Sequence, residues 1–150
     1  TRVREALDGP SGEGPDIATD PEGPLWYRGL AREEELALAP HVDQVLAGFG
    51  VRHVVIGHTV TPGTVLPRLG AKVIMIDVGL SSVYGGPPAC LVIEQGKPSA
   101  LHRGQKLELP LGGDILPYLR AAAALDPQPS RLQKYLDQLS ASPVGAVPPH

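Results

Sequence analysis

The 150-residue chain has one cysteine, one tryptophan, one phenylalanine and one methionine. Aromatic residues make up only 4% of it, so any core must be mainly aliphatic. The single Cys90 excludes an intrachain disulfide and a cysteine-based zinc site. It stands in the apolar run Ala89-Cys90-Leu91-Val92-Ile93, where a small core residue is expected. No apolar stretch approaches the ~20 residues of a membrane span, and a membrane partner is not expected. Basic residues are scattered and outweighed, 13 against 16 acids, for a formal charge of −3. Nucleic acid is therefore not expected as a partner, because phosphate binding needs a concentrated basic face. Thr1 to Asp20 lacks the apolar centre of a signal peptide. Any targeting segment would lie upstream, and a chain without an initiator methionine fits a fragment or a processed protein equally. A soluble, cytoplasmic setting is the simplest expectation.

What is present reads as α/β. Residues 1–24 are rich in Gly, Pro and acids and predict a loop or disordered segment. Ala31 to Phe49 predicts a helix in two pieces, Arg32 to Ala39 and a longer part opened by Pro40. Val42, Val45, Leu46 and Phe49 would form its buried face, and Gly50 its C-cap. Val51 to Ile56 is apolar on both faces and predicts a strand inside a sheet. Thr64 to Pro67 and Lys72 to Asp77 follow as strands, then a loop over Ser81 to Pro88. Ala89 to Glu94 and Ser99 to His102 predict a hairpin around Gln95-Gly96-Lys97-Pro98, with Gln105 to Leu109 as an edge strand. Asp114 should cap a helix to Leu125, interrupted near Pro117, and Ser130 one to Leu139. The expected organisation is a domain part over 25–111, a helical extension over 112–140 and a disordered tail over 141–150.

His58 is the residue placed best for chemistry. In Gly57-His58-Thr59-Val60 it follows a run of β-branched residues, where a strand of an α/β protein gives way to a loop. Alone, it would be read as a packed strand-end histidine. Arg28, in Gly23-Pro24-Leu25-Trp26-Tyr27-Arg28-Gly29, has the planar fork that suits phosphate, although Glu33 to Glu35 offer it ordinary ion pairs. Tyr84 sits on the glycine-flanked loop Tyr84-Gly85-Gly86, where it could equally serve only to pack. Asp77 ends a strand. His41, His53, His102 and His150 have no partners at ligand spacing, and the acids Glu33 to Glu35 read as a solvated helix face.

These motifs together resemble the calcineurin-like metallophosphoesterases. Gly57-His58-Thr59-Val60 is similar to that superfamily's last motif, often Gly-His-x-His, with Val60 in place of the second histidine. A single histidine there resembles the phosphoprotein phosphatase branch, including its bacterial Shewanella-like group. Gly23 to Gly29, Gly63 with Arg68-Leu69-Gly70, Ile76-Asp77-Val78-Gly79, Tyr84-Gly85-Gly86 and Ala89 to Ile93 follow in the order of that group. The resemblance covers Gly23 to about Glu94. It implies the C-terminal part of a β-sandwich flanked by helices, and hydrolysis of phosphate monoesters, phosphoserine and phosphothreonine among them. It also implies two divalent metal ions (Mn, Fe or Zn), with His58 as one ligand, Arg28 and Tyr84 on the substrate phosphate, and Asp77 behind His58. The partners it implies are a phosphorylated protein or small phosphate ester, and the N-terminal half of the same domain.

The superfamily's Asp-x-His, Gly-Asp-x-x-Asp and Gly-Asn-His-Glu/Asp blocks do not occur in this chain. They supply the bridging aspartate, most ligands and the general acid, so no catalytic residue is assigned here and the chain alone is expected to be inactive. The other reading is a non-catalytic interaction module derived from a phosphatase half.

Overall fold

A computed structural model describes residues 25–141 together with Asp20 and Gly23. The segments read as loop (1–24) and tail (141–150) otherwise lie outside the described residues. The fold is α/β, with one mixed and one antiparallel sheet flanked by helices.

A four-residue helix α1 (Gly29–Arg32) leads into α2 (Glu35–Phe49). The break between them falls at Glu33 and Glu34, not at Pro40 as the sequence predicts. The Glu34 carboxylate accepts from the Ala37 amide at 3.0 Å and so supplies an N-cap that starts the helix five residues before the proline expected to open it. Pro40 sits inside α2 on its solvent side. There water can take the Leu36 carbonyl that the missing N–H leaves free. Leu38, Val42 and Leu46, one residue per turn, form the buried face, whereas Phe49 is 79% exposed, against expectation. At Gly50 the amides of Gly50 and Val51 return to the carbonyls of Ala47 and Leu46, closing the helix as anticipated.

The first sheet joins β1 (Val54–Ile56), β2 (Leu66–Arg68) and β3 (Val73–Met75) in the order β1-β3-β2. β3 is parallel to β1 and antiparallel to β2. The fully buried centre is thus β3, and β1 is an edge strand with Val55 exposed, which corrects the interior position read from its sequence. The second sheet is a meander of β4 (Ala89–Glu94), β5 (Lys97–His102) and β6 (Gln105–Glu108). Its turns are Gln95-Gly96 and Arg103-Gly104, each with two consecutive positive φ angles, the type I′ geometry that matches strand twist. β4 buries Ala89 but exposes Cys90, so the apolar run around this cysteine alternates and does not bury it.

Helix α3 (Leu116–Ala124) packs against β6, and α4 (Arg131–Ala141) packs against α3. Pro117 lies in the first turn of α3 and does not interrupt it, because a first-turn N–H has no intrahelical acceptor to lose. Ser130 caps α4 as expected, its Oγ accepting from the Gln133 amide at 2.9 Å. The main core runs from Val65, Ile74 and Val78 through Ala100 to Leu119, Leu132 and Leu136. A smaller one, Leu38, Val42, Leu46 and Val73, holds α2 against the first sheet. No described helix is long and apolar enough to cross a membrane.

Candidate active-site cleft

His58 follows β1 directly and adopts φ 63°, a left-handed conformation that bends the chain sharply off the strand end. Its side chain is exposed, and no hydrogen bond to its ring occurs among the described residues. The turn behind it is held firmly. Thr59 and Thr61 are buried; the Thr61 amide donates to the Asp77 carbonyl at 2.7 Å and its Oγ1 to the Thr64 carbonyl at 2.7 Å. Thr64 Oγ1 lies 3.0 Å from the Tyr118 hydroxyl, which donates to the Val65 carbonyl at 2.6 Å. Burial pushes the Tyr118 phenol up to about 12, the bond with Thr64 opposing this. A chain of buried hydroxyls from α3 thus fixes the loop that follows His58.

Arg28 stands 30 residues earlier in sequence yet lines the same cleft. About 560 Å³ is enclosed between segments 25–31 and 56–59, with Trp26, Arg28, Ile56 and His58 among its walls. Arg28 Nη1 donates to the carbonyls of Leu25 (3.2 Å) and Tyr27 (3.1 Å), and its Cζ lies 5.8 Å from the centre of the Trp26 ring. Both bonds use Nη1, so the Nη2 and Nε edges of the fork carry no protein partner among the described residues. Gly29 leaves room next to it: a Cβ there would fall 2.0 Å from the Tyr27 hydroxyl, which reaches across to Glu33 Oε1 at 3.3 Å, so both exposed side-chain ends would have to move aside.

Arg68, which the sequence presents only as part of a weak motif, anchors this arm to the sheet. It is buried, and its Nη1 donates to the Leu30 carbonyl at 2.7 Å while Nη2 donates to that of Glu33. Its Nε faces Glu35 Oε1 at 3.4 Å, and Glu35 Oε2 takes the Leu69 amide at 3.2 Å. An arginine in a Pro-Arg-Leu-Gly stretch gives no sign in sequence of a partner more than 30 residues away.

The other anticipated residues stand apart from the cleft. Tyr84 is 50% exposed and is not among the cleft walls. Asp77 turns inward on its own loop, its Oδ1 accepting from the Gly79 amide at 3.1 Å, and it too lies outside the lining. His53 Nδ1 sits 2.7 Å from the Ala71 carbonyl. His102, unremarkable in sequence, is fully buried with Nε2 3.1 Å from Asp126 Oδ1, which also accepts from Arg103 Nε at 2.6 Å; His102 Nδ1 has no partner. A larger groove of about 640 Å³ runs over the meander between Glu94, Lys97, Lys106 and Glu108. It is a solvated, mixed-charge face, crossed by the Lys106–Glu94 ion pair that raises the lysine above its usual range, and it contains none of the motif residues.

Among the described residues no three His, Cys, Asp or Glu side chains gather closely enough to hold a metal ion. His58 fits as one contributed donor and not as a complete site. The two ends of the cleft are therefore an open imidazole and a half-engaged guanidinium.

The chain is similar in structure to a cold-active protein tyrosine phosphatase. The likeness has a TM-score of 0.52 and 29% identity, over 63% of this chain and 27% of that one. A point mutant of cold-active protein tyrosine phosphatase matches comparably (TM-score 0.51, 27% identity, 62% and 28% covered). The chain has a phosphatase-like fold. An uncharacterized protein of Schizosaccharomyces pombe is 37% identical over 95 residues, covering 59% of this chain and 28% of that protein. The chain thus spans little more than a quarter of the relatives it matches. No family model matches it.

Proposed function

We propose that this chain forms one wall of a metal-dependent phosphomonoesterase of the calcineurin-like type. One observation carries the reading: Arg28 and His58, each picked from a separate motif, share one cleft on a phosphatase-like fold. His58 would be a single ligand to a pair of divalent ions whose remaining ligands lie outside this chain. When bound, such a pair supplies an activated water and neutralises developing charge. Arg28 binds the substrate phosphate with the free edges of its fork, while Trp26 and the Leu25 and Tyr27 carbonyls hold the guanidinium in place. Substrate is a phosphate monoester on a protein or a small molecule. The solved neighbours are protein tyrosine phosphatases, and the aromatic wall favours an aryl ester over the phosphoserine or phosphothreonine implied by sequence resemblance. Tyr84, outside the cleft walls, is assigned no part in binding substrate, and Asp77 would set the loop beyond His58 through its carbonyl bond to the Thr61 amide.

The test uses the protein as it occurs in the cell. Metal content and hydrolysis of an aryl phosphate are measured for the wild type, His58→Ala and Arg28→Ala. His58→Ala should lose at least one equivalent of metal and on the order of 100-fold or more in kcat/KM. Arg28→Ala should keep its metal and raise KM. Undiminished metal and turnover in His58→Ala would end this reading. The 150-residue chain alone should show no turnover; activity with Mn²⁺ that His58→Ala abolishes would refute that expectation.

A further inference from the structure

Arg131 is the first residue of α4, remote in sequence from every motif of the cleft. Its guanidinium nonetheless reaches two of the candidate-site loops. Nη1 donates to the Tyr84 carbonyl at 3.0 Å and Nη2 to the Thr61 carbonyl at 3.0 Å. Thr61 is three residues past His58, and Tyr84 lies at the centre of the 79–86 loop. One side chain therefore bridges the His58 turn and the tyrosine loop.

The base of that bridge is rigid. Ser130 caps α4, and Leu132 and Leu136 bury it in the main core. Its targets are also shaped for it. The Gly86 amide donates to the Gly79 carbonyl at 3.0 Å, closing the tyrosine loop on itself. A Cβ on Gly79 would stand 2.9 Å from both Tyr84 Cβ and Val60 Cγ1 and 3.3 Å from Arg131 Nη1, so the loop, the His58 turn and the guanidinium meet over this glycine. A planar fork with two donor nitrogens held apart on one rigid plane suits two carbonyls from different segments better than the single nitrogen of an ammonium on a flexible stem.

We propose that Arg131 is a positioning residue: it sets the tyrosine loop against the His58 turn and so makes the C-terminal helical pair part of the site's support. That the supported loops act on a phosphate ester rests on the reading above; that Arg131 joins them does not.

The experiment keeps the two apart by using two readouts on the protein as it occurs in the cell. Amide hydrogen exchange is compared for the wild type, Arg131→Ala and Arg131→Lys, and steady-state hydrolysis of an aryl phosphate is measured on the same samples. In Arg131→Ala the amides of Thr61, Gly85 and Gly86 should exchange on the order of ten-fold faster, the factor expected for one ordinary net hydrogen bond lost from a local opening. The amides of β4 and β5 should be unchanged, and Arg131→Lys should recover part of the protection. Hydrolysis should show KM raised several-fold with kcat within about two-fold. Unchanged exchange at Thr61 and Gly86, or a uniform acceleration through β4 and β5, would overturn the proposal. A wild type without hydrolysis but with the expected local exchange pattern would uphold Arg131 as the bridge and bring down the phosphatase reading instead.

Discussion

The meander with its two helices and the half that bears the cleft are built on different terms. In the former, strands of four to six residues are joined by two-residue turns, and the main core under helices α3 and α4 joins Ala100 and Leu109 to Val65, Ile74 and Val78 of the other half. In the latter, all three strands are three residues long, and four buried side chains hold α2 in place. Most of the exposed large apolar side chains, such as Leu36, Phe49, Leu80 and Val83, precede β4, although Ile93, Leu101 and Leu111 are exposed beyond its start. Buried apolar area is the main source of folding free energy, so the elements lining the main core, β3 among them, should be the most stable, and α2, held by the smaller cluster, less so. The cleft half relies on ties sent across from α3 and α4: the Tyr118 hydroxyl to Thr64 and Val65, and Arg131 to Thr61 and Tyr84.

The largest way to break that arrangement is at Asp126. Its carboxylate is buried where α3 ends, and it accepts from both His102 and Arg103 of the meander. Removing one member of a buried ionic set leaves the others desolvated and unpaired. Asp126→Ala should cost about 3 kcal/mol, the lower part of the usual range, because Arg103 keeps some contact with water. Urea unfolding followed by circular dichroism reads this directly. A loss under about 1 kcal/mol would mean that the helical pair is held by its apolar face alone.

How much of this was legible in sequence depended on how local the determinant was. His58 at a strand end, the Gly50 and Ser130 caps and the hairpin of β4 and β5 all follow from residues within a few positions of one another. Pro40 misled because it was weighed as a helix opener without the competing carboxylate of Glu34. Phe49 and Val55 misled for a tertiary reason: periodicity states which face is apolar, and not whether anything covers it. The cleft itself was half visible. Arg28 and His58 could be named separately, and their meeting could not. The roles of Arg68, Tyr118 and Arg131 have no sign in sequence, since each acts on backbone carbonyls that no side-chain pattern announces.

A second break exploits the buried phenol of Tyr118, whose ordinary value of 10.0 is raised to about 12 by desolvation. A folded-state value above the unfolded one means that ionisation opposes folding. The stabilising contribution is complete below pH 10 and is lost as pH rises from 10 towards 12, by at most about 1.4 kcal/mol per pH unit. Tyr135, also raised by burial, acts in the same direction. The wild type should therefore lose stability more steeply over this window than Tyr118→Phe, which itself costs about 1 kcal/mol at neutral pH through the unpaired Val65 carbonyl. Parallel curves for the two proteins would show that the phenol is not confined as the structure has it, and that the tie to the His58 loop is loose.

The smallest effect bears on His58 itself. Positive φ at Gln95 and Arg103 belongs to the hairpin turns of the meander, where strand twist demands it. His58 has φ 63° with no hairpin around it, so its left-handed conformation is a local cost that strand twist does not demand. Glycine would relieve about 1 kcal/mol of that cost, less a few tenths for its freer unfolded chain, while alanine would retain the strain. His58→Gly should thus be more stable than His58→Ala by roughly 0.5–1 kcal/mol in thermal or urea unfolding, and both should be equally deficient in metal. Equal stability of the two would mean that the left-handed turn costs nothing. The contrast between a strained cleft and a relaxed meander would then rest on packing alone.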